Sequence, residues 1–132
     1  MAVLTYASLI AHDIEALADF YQGLFELEEV AASRSERYRE FLTGASKLGI
    51  IHFGGYAMLD LAVRDPAAPV SQILTFDVGA SGRVRALVEI AAHRGARLVK
   101  PAFDTFYGQY LAVMLDPEGN ALRISAPSEP AA

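Results

Sequence analysis

The order of apolar runs along this chain repeats once, and that repeat restricts the fold more than any other feature. Residues 3–11 (VLTYASLIA) are apolar and β-prone and stop at His12-Asp13. Asp13 suits a helix N-cap, and Ile14, Leu17, Ala18 and Tyr21 follow at helical spacing. Residues 71–78 (SQILTFDV) are again strand-like, and Ser81-Gly82 open a second helix with Val84, Leu87, Val88 and Ala91 on one face. His93 and Arg94 before Gly95 give that helix the basic end and following glycine that favour termination. Strand then helix thus occurs twice, about 65 residues apart.

Each copy continues with short strands. After the first helix the expected strands are 28–33, 37–43 and 47–52, the last two joined by Gly44-Ala45-Ser46. After the second they are 97–100, 109–115 and 120–125, the last two joined by Asp116-Pro117-Glu118-Gly119, which carries turn chemistry. The chain therefore reads as a βαβββ module over 1–53, a linker over 54–70, a second βαβββ module over 71–126 and a loose tail over 127–132. Tyr56 to Leu61, inside the linker, is expected to form a helical turn.

Composition narrows the role. A chain of 132 residues argues for one domain, and 53% hydrophobic with 20% charged residues excludes intrinsic disorder. With no cysteine, a disulfide scaffold, a thiolate zinc site and a cysteine nucleophile are all excluded. Sixteen acidic against eleven basic residues, with no basic run, argue against nucleic acid as a partner. The apolar runs fall short of the ~20 residues of a membrane span, and the start of the chain lacks a basic leader and cleavage site. The expectation is a cytoplasmic protein with neither membrane nor nucleic acid as partner.

A paired βαβββ order at this length resembles the vicinal oxygen chelate superfamily of glyoxalases, bleomycin-resistance proteins and extradiol dioxygenases. Asp13 followed by Phe20-Tyr21, the string Leu115-Asp116-Pro117-Glu118-Gly119-Asn120, and Lys100-Pro101 through Asp104, Tyr107-Gly108 and Gln109 carry the likeness, over about residues 3–126. The resemblance implies an α+β fold of two four-stranded, curved mixed sheets forming a cleft, with helices on the convex faces. It implies a homodimer, and in the metal-using members a His, Gln or Glu at four inward positions, in the first and last strand of each module.

Those four positions are poorly equipped in this sequence. Counting back from Asp13 gives Tyr6, whose phenol ionises near pH ~10. The second module's first strand gives Ile73, with Gln72 one residue away, since Leu74, Phe76 and Val78 then form the helix-packed face. The final strand gives Arg123, a permanent cation. The first module's last strand leaves Ile50 or His52, while a rival alignment makes Tyr56 to Leu61 the strand and selects Asp60. The expectation is a cleft with no metal and no cofactor.

Alternate residues then face that cleft: Tyr6, Ser8 and Ile10 on the first strand, Tyr110, Ala112 and Met114 on the seventh, and Ala121, Arg123 and Ser125 on the eighth. Loop residues Phe103, Phe106 and Tyr107 rim the opening. Such a pocket suits a flat, partly anionic small molecule, with Tyr6, Ser8, His52, Phe103, Tyr107, Tyr110, Met114 and Arg123 as ligand contacts. Arg123 has a structural alternative, pairing with Asp77. The leading function is a metal-free binding protein for a small aromatic or partly anionic molecule. The alternative is a lyase, isomerase or dioxygenase of the same superfamily, using His52 and Arg123 for catalysis or an unrecognised metal site.

Overall fold

The computed structural model describes residues 1–130. The chain divides into two compact units, Met1–Asp65 and Pro66–Ala132, so the division falls inside the expected linker. Each unit builds one four-stranded mixed sheet with the same connectivity. In the first, β1 (Tyr6–Ile10), α1 (Ile14–Phe25), β2 (Glu28–Glu29), β3 (Tyr38–Leu42) and β4 (Lys47–Ile51) give the order β1-β4-β3-β2. A one-turn helix α2 (Gly55–Met58) follows, where a helical turn is expected. In the second unit, β5 (Ile73–Asp77), α3 (Ser81–His93), β6 (Arg97–Asp104), β7 (Gln109–Leu115) and β8 (Ala121–Pro127) give β5-β8-β7-β6. The first and last strands of each unit pair in parallel, and the hairpin pairs are antiparallel.

Helix α1 starts where the Asp13 carboxylate accepts from the Ala16 N–H at 3.0 Å, filling one donor the first turn leaves open. Its buried stripe, Leu17, Ala18, Phe20, Tyr21 and Leu24, packs over β3 and β4, where Phe41, Leu48 and Ile50 are buried. The helix ends at Glu26, which adopts φ +54°, a left-handed conformation that costs a residue bearing a Cβ about 1 kcal/mol. Glu26→Gly is therefore expected to raise stability by about 0.5–1 kcal/mol in urea unfolding, with m unchanged. An unchanged or lower midpoint would show that the glutamate side chain compensates for the strain.

Several strand bounds differ from expectation for identifiable reasons. The stretch after α1 keeps only two strand residues and turns into a 3₁₀ segment over Ala31–Ser33. Strand β6 runs on to Asp104, past Pro101, so Phe103 lies in a strand rather than a loop. As an edge strand it tolerates a residue without an N–H, and the register shifts between Leu98 and Phe103 accommodate the proline. The tail is not loose over its described part. Strand β8 continues to Pro127, the Ser128 hydroxyl donates to Asp104 at 2.7 Å, and the Ser81 hydroxyl donates to the Glu129 carboxylate. Residues 131–132 of the expected tail lie outside the described residues. Among the described residues no helix is long and apolar enough to cross a membrane.

Candidate functional site

Each sheet has one face under its helix and one face without it, and strand register decides which residues occupy the second. In the first unit Tyr6 stands opposite Lys47, Ser8 opposite Gly49, and Ile10 opposite Ile51, while Glu40 faces Gly49 from β3 and Tyr38 faces Ile51. The helix-free face therefore carries Tyr6, Ser8, Tyr38, Glu40 and Lys47 around a glycine. The Ser8 Oγ and the Tyr38 hydroxyl both close over that glycine, 2.8 Å and 2.9 Å from where a Cβ would stand, so a larger residue would have to displace them.

Glu40 is the electrostatic centre of this face. Its side chain is only 5% exposed, and an isolated buried carboxylate is costly. Here the Tyr38 hydroxyl donates to Oε1 at 2.8 Å, and the Lys47 Nζ lies 3.5 Å from Oε2. Burial, then the hydrogen bond to Glu40, push the Tyr38 phenol well above its ordinary value, so it stays protonated and donating. The Tyr6 phenol and the Glu40 carboxylate raise the Lys47 ammonium above the usual lysine value. Its Nζ also sits 5.5 Å from the Tyr6 ring centroid.

His52 lies one residue beyond β4, outside the row of Lys47, Gly49 and Ile51. Its Nδ1 accepts from the Gly54 N–H at 3.3 Å, and its ring folds so closely over Gly54 that a Cβ there would come within 2.4 Å of Cε1. Ile50, the other residue considered for a ligand position, is fully buried on the helix side. Asp60 follows α2, so the rival strand over Tyr56 to Leu61 is absent.

In the second unit the helix-free face carries Ile73, Thr75 and Asp77 opposite Ala121, Arg123 and Ser125, which in turn face Leu115, Val113 and Leu111. The Arg123 Nε donates to the hydroxyl of Thr75, its direct neighbour on β5, at 2.9 Å. Asp77, the alternative partner, stands opposite Ser125 rather than Arg123 and accepts from the Gly79 N–H at 2.8 Å. The Ser125 hydroxyl meets Gln109 Oε1 at 2.9 Å. Phe103 stands opposite Leu111 and so shares this face, with the Lys100 Nζ 3.8 Å from its ring centroid. Phe106 is fully exposed and Tyr107 is exposed beside it in the turn before β7, their rings edge to face at 5.0 Å.

The expected placement of Tyr110, Ala112 and Met114 beside Arg123 is corrected. Val113 pairs with Arg123, so Tyr110, Ala112 and Met114 pair with Ala126, Ile124 and Leu122 on the side that α3 covers. Directly opposed residues share a face, and the expectation had combined alternate sets from the two strands. Met114 is fully buried, and Arg85 of α3 lies over the Tyr110 ring at 5.7 Å. Both are packing residues rather than members of the open face.

The divalent metal that the resemblance implies would have to be held by these donors. The first unit offers phenols, a hydroxyl and one carboxylate already engaged by a phenol and an ammonium. The second offers hydroxyls, a guanidinium and one carboxylate engaged by a backbone N–H. Among the described residues no three His, Cys, Asp or Glu side chains gather where they could hold an ion. These donors do not fit a divalent metal. On the helix side, a groove of about 520 Å³ lined by Ile14, Glu15, Arg34, Ser35, Glu36 and Arg39 mixes both signs of charge, and both arginines bond to Glu29.

Residues 6–125 match the family model for the glyoxalase-like domain. The structure is similar to a glyoxalase/bleomycin resistance protein/dioxygenase family enzyme from Burkholderia phytofirmans PsJN, at 36% identity over 96% of this chain and 99% of that one, with a TM-score of 0.87. A glyoxalase-related enzyme from Fulvimarina pelagi (24% identity, 96% and 88% covered, TM-score 0.83) shares the fold. So does a lactoylglutathione lyase from Agrobacterium tumefaciens (19% identity, 96% and 94% covered, TM-score 0.68). No curated protein matches the sequence.

Proposed function

The chain belongs to the glyoxalase-like domain family, and on that premise we propose that it binds a small aromatic or partly anionic molecule on its helix-free sheet faces without a metal. One observation carries the reading. The strand positions at which a metal-using relative needs ligands carry Tyr6, Ile73 and Arg123, none of them an imidazole or a carboxylate. In the first unit Tyr6 offers a ring face and Ser8 a hydrogen-bond donor, and in the second Phe103 and Arg123 offer the same pair of features. His52 and Tyr107 are kept as contacts from the strand end and the turn. A cytoplasmic homodimer is part of this proposal, and exposed Leu4, Met58, Leu61 and Val63 support a second copy as partner.

Calorimetric titration of a panel of aromatic metabolites and antibiotics, with and without chelator, tests the proposal. Saturable binding indifferent to chelator is expected, and binding that appears only with added divalent ion would refute it. A lyase, isomerase or dioxygenase working through His52 and Arg123 is the second reading, favoured by the 36% identical relative named as an enzyme. Turnover abolished by His52→Ala in a folded protein would establish it.

A further inference from the structure

We propose that Lys47 holds the acidic group of the bound molecule, a carboxylate on a small aromatic frame, with the Ser8 hydroxyl donating beside it and the Tyr6 ring flanking it. This deepens the ligand-binding reading and rests on it. The observation behind it is an ion pair with one buried and one accessible member. The Lys47 side chain is 38% exposed and Glu40 only 5%. An ammonium has three donors, and orienting one toward Glu40 and one toward the Tyr6 phenol leaves the third to meet an acceptor on the open side. A lysine held by a glutamate while it binds an anion is a known arrangement in phosphoryl-transfer enzymes.

Tyr38 and Glu40 act as positioning residues. The Tyr38 hydroxyl fixes the carboxylate at 2.8 Å, and the carboxylate fixes the ammonium at 3.5 Å. Ser8 is exposed on the same face two residues along β1 from Tyr6, the residue opposite Lys47, and its Oγ converges with the Tyr38 hydroxyl over Gly49. Arg123, the cation favoured by sequence alone, has its Nε committed to Thr75.

The test is calorimetric titration of the full chain with benzoate, phenylacetate and 1-naphthoate against the corresponding neutral amides. Proteins carrying Lys47→Met, Lys47→Arg and Arg123→Met are compared with the unaltered chain, each checked for fold by circular dichroism. The unaltered chain should prefer acids over amides about tenfold, the scale of one charge-assisted hydrogen bond. Lys47→Met should reduce that preference to about twofold or less, and Lys47→Arg should keep most of it. A preference unchanged in Lys47→Met, or lost only in Arg123→Met, overturns the assignment. Equal binding of acids and amides by the unaltered chain overturns it while leaving the ligand-binding reading intact. Failure of acids, amides and every compound of the wider panel to bind sinks both.

Discussion

Arg39→Met is expected to lower stability by about 3–5 kcal/mol, because it strands a buried carboxylate. Arg39 lies on the helix side of β3 with its side chain 5% exposed, and Glu29 on β2 is 9% exposed. The guanidinium donates through Nε at 2.7 Å and Nη2 at 2.8 Å, a two-point grip on both carboxylate oxygens. Arg34, 3.4 Å from Glu29 and 57% exposed, is a weaker substitute. Replacing both partners, as in Arg39→Met with Glu29→Leu, should recover most of the loss, since a buried pair exchanged for apolar side chains is close to neutral. If the double replacement is as unstable as the single one, packing rather than the uncompensated charge is responsible.

The same pair gives the protein an acid sensitivity of defined sign. The Arg39 hydrogen bond holds the Glu29 carboxyl below the ordinary glutamate value. Its contribution is therefore complete above the unfolded-state value near ~4.3 and fades as pH falls through the lower folded value. Unfolding midpoints of Arg39→Met should lose that part of the acid dependence.

Gly119→Ala is expected to cost about 3 kcal/mol, from two independent causes. Gly119 has φ +82°, and a Cβ there would lie 2.3 Å from the Pro66 carbonyl oxygen, a backbone atom with little room to yield. The surrounding turn is rigid, with the buried Asp116 carboxylate accepting from the Glu118 N–H at 2.8 Å and the Asn120 N–H at 3.0 Å. A measured loss below about 1 kcal/mol would mean that Pro66 moves away freely and that only the φ strain is felt.

The repeat was legible because its signals are local: Asp13 as a cap, helical spacing after it, and glycine or proline turns at fixed places. Parity on β5 and β8 was legible too, since the helix-side alternates, half-buried Leu74 and Phe76 and buried Leu122 and Ile124, are apolar without exception. Strand β7 was not, because Tyr110, Ala112 and Met114 read as plausibly on either face as Leu111, Val113 and Leu115. Only the pairing of Val113 with Arg123 decides between them. The Tyr38–Glu40–Lys47 cluster was missed although Tyr38 and Glu40 are two apart in one strand and so share a face. Buried Arg39 lies between them, so three polar residues in a row give no alternation from which to read a face. Finding Lys47 needed the β3–β4 register, a long-range fact that no single window of sequence contains.

The proposal that this chain works without a resident divalent ion is tested most directly by elemental metal analysis of the protein expressed in metal-supplemented medium and purified without chelator. The expected result is iron, manganese, nickel and zinc together far below one equivalent per chain, with organic ligand binding unchanged after dialysis against chelator. Near-stoichiometric content of one of these metals, lost on replacing Glu40 or Asp77 in a protein that still folds, would contradict it.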